Sequence, residues 1–154
     1  MKRVYVDSSA VGGKFNTRLA KQTQSFWDAV DRGEIVIIVS DMLEQEVADL
    51  GTPQRVRIFF DTLTSQAVRV TSGKEVNDLA ARYITENVVD KSSFVDCVHV
   101  ALATLAHADV LVSWNLKDMV KRSDEYNKVN KTFGYPEITI LTPEHFMEVQ
   151  HDDI

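Results

Sequence analysis

From Phe94 to Ala106 the chain is apolar or small at nearly every position, interrupted only by Asp96, His99 and Thr104. Such a stretch reads as a helix buried on most of its sides. At about 100° per residue, Asp96, His99 and Ala103 share one stripe of it. A carboxylate therefore sits one turn from an imidazole, on a helix with no other reason to carry charge. Burying an ionised carboxylate alone is costly even after relaxation, so Asp96 must be paired, bound to a metal, or open to a solvated cleft. After His107-Ala108-Asp109 the pattern becomes Val110-Leu111-Val112-Ser113-Trp114, a run suited to a buried parallel strand, which ends at polar Asn115.

Two ordinary readings compete for these residues. Ser93 followed by Asp96 has capping-box spacing, so Asp96 serves either the start of its helix or a ligand. His99 is either a core histidine hydrogen-bonded to a neighbour or a catalytic base, and the core reading is the commoner one.

The chain is 154 residues long, enough for one domain, residues 1–154, with a proper core. Cys97 is the only cysteine and lies inside the apolar helix, so neither a disulfide nor a cysteine zinc site is available. Met1-Lys2-Arg3 runs straight into Val4-Tyr5-Val6, and no stretch approaches the ~20 apolar residues needed to span a bilayer. The expectation is a cytoplasmic protein without membrane contact. A net charge of −6 argues against a non-specific DNA coat. It leaves room for a nuclease, whose cation-holding carboxylates belong to that count.

In chain order, a β-rich run from Arg3 to Val6 ends at Asp7 and is followed by Ser8-Ser9 and a flexible Gly12-Gly13. A helix carrying Leu19, Thr23, Phe26, Trp27 and Val30 closes at Gly33. Ile35 to Val39 is a second apolar strand. Ser40-Asp41 opens a helix with Leu43, Val47 and Leu50 as its core stripe. Thr52 is placed as N-cap, with Pro53 as first residue, of a helix bearing Val56, Phe59, Phe60 and Leu63. Ala67 to Thr71 is extended, and Ser72 with Glu75 forms a capping box for the helix of Val76, Leu79, Ala80, Tyr83 and Ile84. Lys121 to Lys131, rich in charge and Asn, reads as a surface loop. Ile138 to Leu141 is the last strand, and Thr142-Pro143-Glu144 caps a closing helix. Strands apolar on both faces and alternating with helices predict a three-layer α/β/α domain with a central parallel sheet.

In such a sheet, ligands bind beyond the carboxyl ends of the strands. Asp7 and Asn115 follow two of those ends, and the helix carrying Asp96 begins at the same edge. The helix after the second strand offers Glu44 and Glu46. Glu44 is explained by capping-box spacing with Asp41. Glu46 is not, and it borders the buried face, so Glu46 is the preferred candidate. Three carboxylates at one edge need protonation or a cation to coexist. An all-oxygen ligand set favours Mg²⁺ or Mn²⁺ over Zn²⁺.

Val4-Tyr5-Val6-Asp7-Ser8-Ser9, Glu46, Asp96-Cys97-Val98-His99-Val100-Ala101 and Leu111-Val112-Ser113-Trp114-Asn115 together resemble a PIN domain, nearest to the VapC-like toxins of toxin–antitoxin pairs. The resemblance runs through nearly the whole chain. It implies a PIN-like fold and a Mg²⁺- or Mn²⁺-dependent ribonuclease, with Asp7, Glu46 and Asp96 as the acidic metal positions. Ser9 and Ser113 match the small hydroxyl residues that orient the acids. The fourth catalytic position, often Asp in the family, is Asn115, which could ligate through its amide oxygen but brings no charge. One firmly held ion is the expectation. Asp118 forms a cap-and-third-residue pair with Asn115 and is read as structural.

Lys14, Lys91, Lys117, Lys121 and Arg122 follow strand ends or precede the apolar helix, where they could track an RNA backbone as a group. Two readings remain open at this stage. The first is a metal-dependent endoribonuclease with an RNA substrate, a small antitoxin partner and self-association as a homodimer. The second, motivated by Asn115 and the overall negative charge, is a catalytically impaired PIN-like module that binds RNA or protein without cutting.

Overall fold

A computed structural model of the chain describes residues 1–49 and 51–152, the last two as backbone only. Five strands form one sheet: β1 (Lys2–Val6), β2 (Ile35–Ser40), β3 (Val68–Val70), β4 (Val110–Val112) and β5 (Thr139–Leu141). All four pairings are parallel, in the order β3-β2-β1-β4-β5. The chain builds outward from β1 in one direction, returns to its other side at β4, and continues to β5. The topological switch point therefore falls at the carboxyl ends of β1 and β4, where Val6 pairs with Val112.

Strand residues alternate between two buried faces because successive side chains point to opposite sides of the pleat. Tyr5, Ile38, Leu111 and Ile140 join a core with α5 (Lys74–Thr85), α6 (Phe94–Leu105) and α7 (Ser123–Thr132), through residues such as Leu79, Tyr83, Val98, Leu102 and Tyr126. Val4, Val6, Ile37, Val39, Val110 and Val112 face the opposite core, which is shared with α1 (Ser8–Gly13), α2 (Ala20–Asp31), α3 (Asp41–Val47), α4 (Gln54–Thr64) and α8 (Pro143–Asp152). The result is the α/β/α PIN-like layering. Phe26, Trp27, Phe59 and Phe146 pack edge to face in the second core, the arrangement their ring quadrupoles favour.

Several local expectations change. Gly12-Gly13 is not a flexible link but the end of α1, and Gly13 lies against the Trp114 indole, where a side chain would not fit. Helix α4 is capped by Pro53 rather than Thr52, and α5 by Gly73 rather than Ser72. Both displaced hydroxyls are claimed by α3: Thr52 donates to the Glu46 carbonyl and Ser72 to the Asp41 carboxylate. Lys121 to Lys131 is mostly helix α7 rather than loop. Tyr126, Val129 and Asn130 are spaced three and four apart and all buried, so tertiary burial overrides a polar local sequence. Gly33 closes α2 with φ +74, and Thr142 caps α8 through the His145 N–H, both as expected. Leu50, expected in the α3 core stripe, lies outside the described residues.

Candidate metal centre at the switch point

Asp7 follows β1 directly and is the N-cap of α1, where its Oδ1 accepts from the Ala10 N–H at 3.0 Å. Ser9 Oγ donates to the same oxygen at 2.7 Å, and Ser113 Oγ donates to Oδ2 at 2.6 Å. With only 3 % exposure, the carboxylate is held in place by three donors drawn from two strand ends. Ser113 Oγ also accepts from the Asn115 N–H, and Ser9 Oγ accepts from the Trp114 N–H, so the β1 and β4 ends are stitched together around Asp7.

Glu46 reaches the same edge from α3. Ser40 caps that helix by accepting from the Leu43 N–H, which leaves Glu44 unneeded at its start. Glu44 instead pairs with Arg69 at 2.6 Å, so the capping-box explanation is replaced by an ion pair to β3. Glu46 turns the other way. Its Oε2 accepts from Ser8 Oγ at 3.2 Å, and its Oε1 lies 2.5 Å from His99 Nε2. His99 is a core histidine, 2 % exposed, with its Nδ1 2.6 Å from the Tyr5 hydroxyl.

Asp96 lies in the first turn of α6, whose N-cap Ser93 makes no side-chain capping bond. The capping alternative therefore fails, and Asp96 Oδ2 accepts from Asn115 Nδ2 at 3.1 Å. Burial pushes the Asp96 carboxyl above its ordinary range; the charges of Asp118 and Asp7 add to this, and the Asn115 amide opposes it, as would a positive charge on His99. Asn115 Oδ1, the oxygen expected to be free for a cation, instead accepts from the Asp118 N–H at 3.1 Å. That bond makes Asn115–Asp118 the cap-and-third-residue pair read from the sequence.

Thus Asp7 and Asp96 are joined through Ser113 and Asn115, while Glu46 is tied to Ser8 beside Asp7 and to His99 one turn beyond Asp96. Glu46 and Asp96 line one open cleft of about 350 Å³ with Gln45, Asp49, Ser92 and Ser93. Among the described residues, no three carboxylate, imidazole or thiolate groups close around a point as a ready-made metal cage. Lys14 Nζ lies 4.2 Å from the centre of the Phe59 ring and Arg122 approaches Glu125 at 3.5 Å, so these two cations have local partners. Lys91, Lys117 and Lys121 are exposed.

Sequence reading missed three contributors: Ser8, Ser40 and Tyr5. Only Tyr5 left a trace, as a polar-tipped aromatic between Val4 and Val6 in the buried half of its strand. Among the described residues no helix is long and apolar enough to cross a membrane.

No protein-family model matches the chain, and no curated protein matches it. Solved structures do. VapBC-1 from nontypeable Haemophilus influenzae aligns with a TM-score of 0.60 at 11% identity, over 92% of this chain and 98% of that one. VapBC2 from Rickettsia felis, bound to a DNA fragment from its promoter, aligns with a TM-score of 0.57 at 13% identity, over 90% and 96%. Mycobacterium tuberculosis VapC20, described as a Sarcin-Ricin loop cleaving toxin, aligns with a TM-score of 0.56 at 14% identity, over 88% and 98%. The chain shares the fold of these proteins across nearly its full length.

Proposed function

We propose that this chain is an endoribonuclease dependent on Mg²⁺ or Mn²⁺, acting in the cytoplasm as the toxin of a toxin–antitoxin pair. The observation that carries the reading is that the β1/β4 switch point joins Asp7, Asp96 and Asn115 in one hydrogen-bonded network and brings Glu46 beside it through Ser8, the neighbour of Asp7, so that four separate stretches of chain meet there. The fold neighbours that are toxins, one of them described as cleaving the Sarcin-Ricin loop, support the same class of reaction.

The donor set fits a hard divalent cation. A carboxylate offers roughly four acceptor sites. Asp7 uses three of them within the protein, Glu46 two and Asp96 one, so spare oxygen lone pairs remain on all three acids. Asp7, Glu46 and Asp96 would hold the ion, whose chemistry is to lower the pKa of a water and to neutralise charge developing on phosphate oxygens. Ser9 and Ser113 fix the rotamer of Asp7. Asn115 holds Asp96 toward the cleft without adding charge, which favours one ion over two. Lys91, Lys117 and Lys121 supply phosphate contacts along the strand. A small antitoxin covering the cleft is the partner, a reading supported by the VapBC neighbours, and the chain self-associates as a homodimer.

The test is cleavage of single-stranded RNA with Mg²⁺ or Mn²⁺ by wild type, Asp7→Asn and Asp96→Asn. Wild-type cleavage that both substitutions abolish supports the reading, and equal activity in all three removes the site. A second reading, a module that binds RNA or protein without cutting, is favoured by the Asn115 amide oxygen being occupied by the Asp118 N–H. Retention of intact RNA by the wild type would select it.

A further inference from the structure

A chain of buried polar groups runs from α3 through the sheet to Glu46. The Leu43 N–H donates to Ser40 Oγ at 3.1 Å, Ser40 Oγ lies 2.7 Å from Tyr5 Oη, Tyr5 Oη lies 2.6 Å from His99 Nδ1, and His99 Nε2 lies 2.5 Å from Glu46 Oε1. Tyr5 and Ser40 are fully buried and His99 nearly so, which shuts bulk water out of the bookkeeping. Each of these links must therefore be satisfied by the protein itself.

Only one proton arrangement satisfies them all. Ser40 Oγ accepts from the Leu43 N–H and donates to Tyr5 Oη. Tyr5 Oη donates to His99 Nδ1, which must then be the unprotonated nitrogen. His99 Nε2–H donates to Glu46 Oε1, which accepts it. Burial keeps the tyrosine in its proton-bearing form, since its phenol is held far above its ordinary range. The competing state, an imidazolium at His99, reverses the chain: Nδ1–H donates to Tyr5 Oη and Tyr5 Oη donates to Ser40 Oγ. Ser40 would then accept two bonds, and its own buried proton would have no acceptor among the described residues. An orphaned buried donor of this kind is costly.

From this geometry we infer that Tyr5 and His99 are positioning residues: Tyr5 locks His99 as the neutral Nε2–H tautomer, and His99 holds Glu46 as an oriented carboxylate facing the cleft. Donors pointing one way along such a chain polarise one another and strengthen the last bond, the one to Glu46. The inference deepens the proposed cation site and rests on that reading for its consequence, but its core is a proton arrangement in the metal-free protein. Neither residue touches substrate in this account. Partners that orient a metal-binding side chain typically matter by 10–100-fold in affinity when removed.

The deciding measurement is a two-bond proton–nitrogen correlation spectrum of the histidine rings in the metal-free full chain near neutral pH. The His99 signals are assigned by their disappearance in His99→Gln. The neutral Nε2–H pattern is expected. An Nδ1–H tautomer or an imidazolium overturns the inference; the readout is taken on the wild-type protein, and His99→Gln serves only to assign its signals. Tyr5→Phe removes only the hydroxyl. It is expected to mix the His99 tautomers and to weaken Mn²⁺ binding, read by calorimetry, on the order of tenfold. An unchanged His99 spectrum in Tyr5→Phe contradicts the role given to Tyr5. Absence of Mn²⁺ binding by wild type would count against the proposed function while leaving the tautomer result to stand or fall by itself.

Discussion

Replacing Gly13 by alanine puts a methyl carbon 2.8 Å from Trp114 Cδ1 and 2.9 Å from Trp114 Nε1, with Thr23 Cγ2 behind it at 3.5 Å. Ordinary carbon contacts begin near 3.5 Å, so the indole or the end of α1 must move by roughly 0.7 Å. The ring is poorly free to do so, because the Trp114 N–H is bound to Ser9 Oγ and its buried Nε1 has no partner that a shift would gain. Overpacking of this kind costs about 1–3 kcal/mol, offset by up to about 1 kcal/mol from the helix preference of alanine over glycine. The net expectation is about 1 kcal/mol of destabilisation, or roughly 2–4 °C in Tm for a chain of this size. Gly12→Ala is the matched control: nothing lies within 4 Å of its added Cβ, so it should stabilise by about 0.4–1 kcal/mol. Urea unfolding of both variants, read as midpoint at constant slope, gives shifts of opposite sign if the packing is as described. A Gly13→Ala protein as stable as Gly12→Ala would refute the close approach of α1 to Trp114.

Two further outcomes test the supports of the site. Burial pushes the Asp41 carboxyl up, but the Ser72 hydroxyl and N–H, the Met42 N–H and Arg69 outweigh it and hold the group below its ordinary range. The unfolded chain then binds more protons than the native one, so this contribution is present above the unfolded pKa of about 3.9 and is lost as pH falls through the folded value. Ser72→Ala should therefore lose about 1 kcal/mol at neutral pH and flatten the acid limb of stability, measured as Tm against pH. Tyr83→Phe should cost about 1–2 kcal/mol in urea unfolding, because Asn130 Oδ1, fully buried, loses its 2.5 Å bond from the phenol. A neutral effect would mean that α7 is not pinned to α5 through this pair.

Where the sequence was legible, a strong period or a long apolar run made it so. The sheet could be read because β2 and β4 are nearly pure aliphatic runs and β1 carries Val4-Tyr5-Val6, and α6 because its apolar character leaves Asp96 conspicuous. Glu46 could be separated from Glu44 because only one of them borders the buried face, and Ser9 and Ser113, which match the family's small hydroxyl positions, both donate to Asp7. Helix starts were read less well. Thr52 and Ser72 have ideal local capping chemistry, yet each hydroxyl is drawn to α3, a partner distant in sequence that local spacing cannot reveal. Helix α7 was hidden for the opposite reason: only three of its residues are buried, and Asn130 contributes as a satisfied core amide rather than as a hydrophobe. Asn115 was placed correctly at the strand end, but the direction of its amide depends on Asp118 and Asp96 together, and spacing does not decide between two partners. The Ser40–Tyr5–His99 chain was invisible because its members come from three elements and look, one by one, like ordinary core or cap residues.

The proposed activity requires Asp7 and Asp96 to share one cation. Calorimetric titration of Mn²⁺ into the metal-free wild type, Asp7→Asn and Asp96→Asn tests that most directly. A saturable heat in wild type, weakened at least tenfold by either substitution, is the predicted result. A Mn²⁺ affinity that neither substitution changes would contradict it.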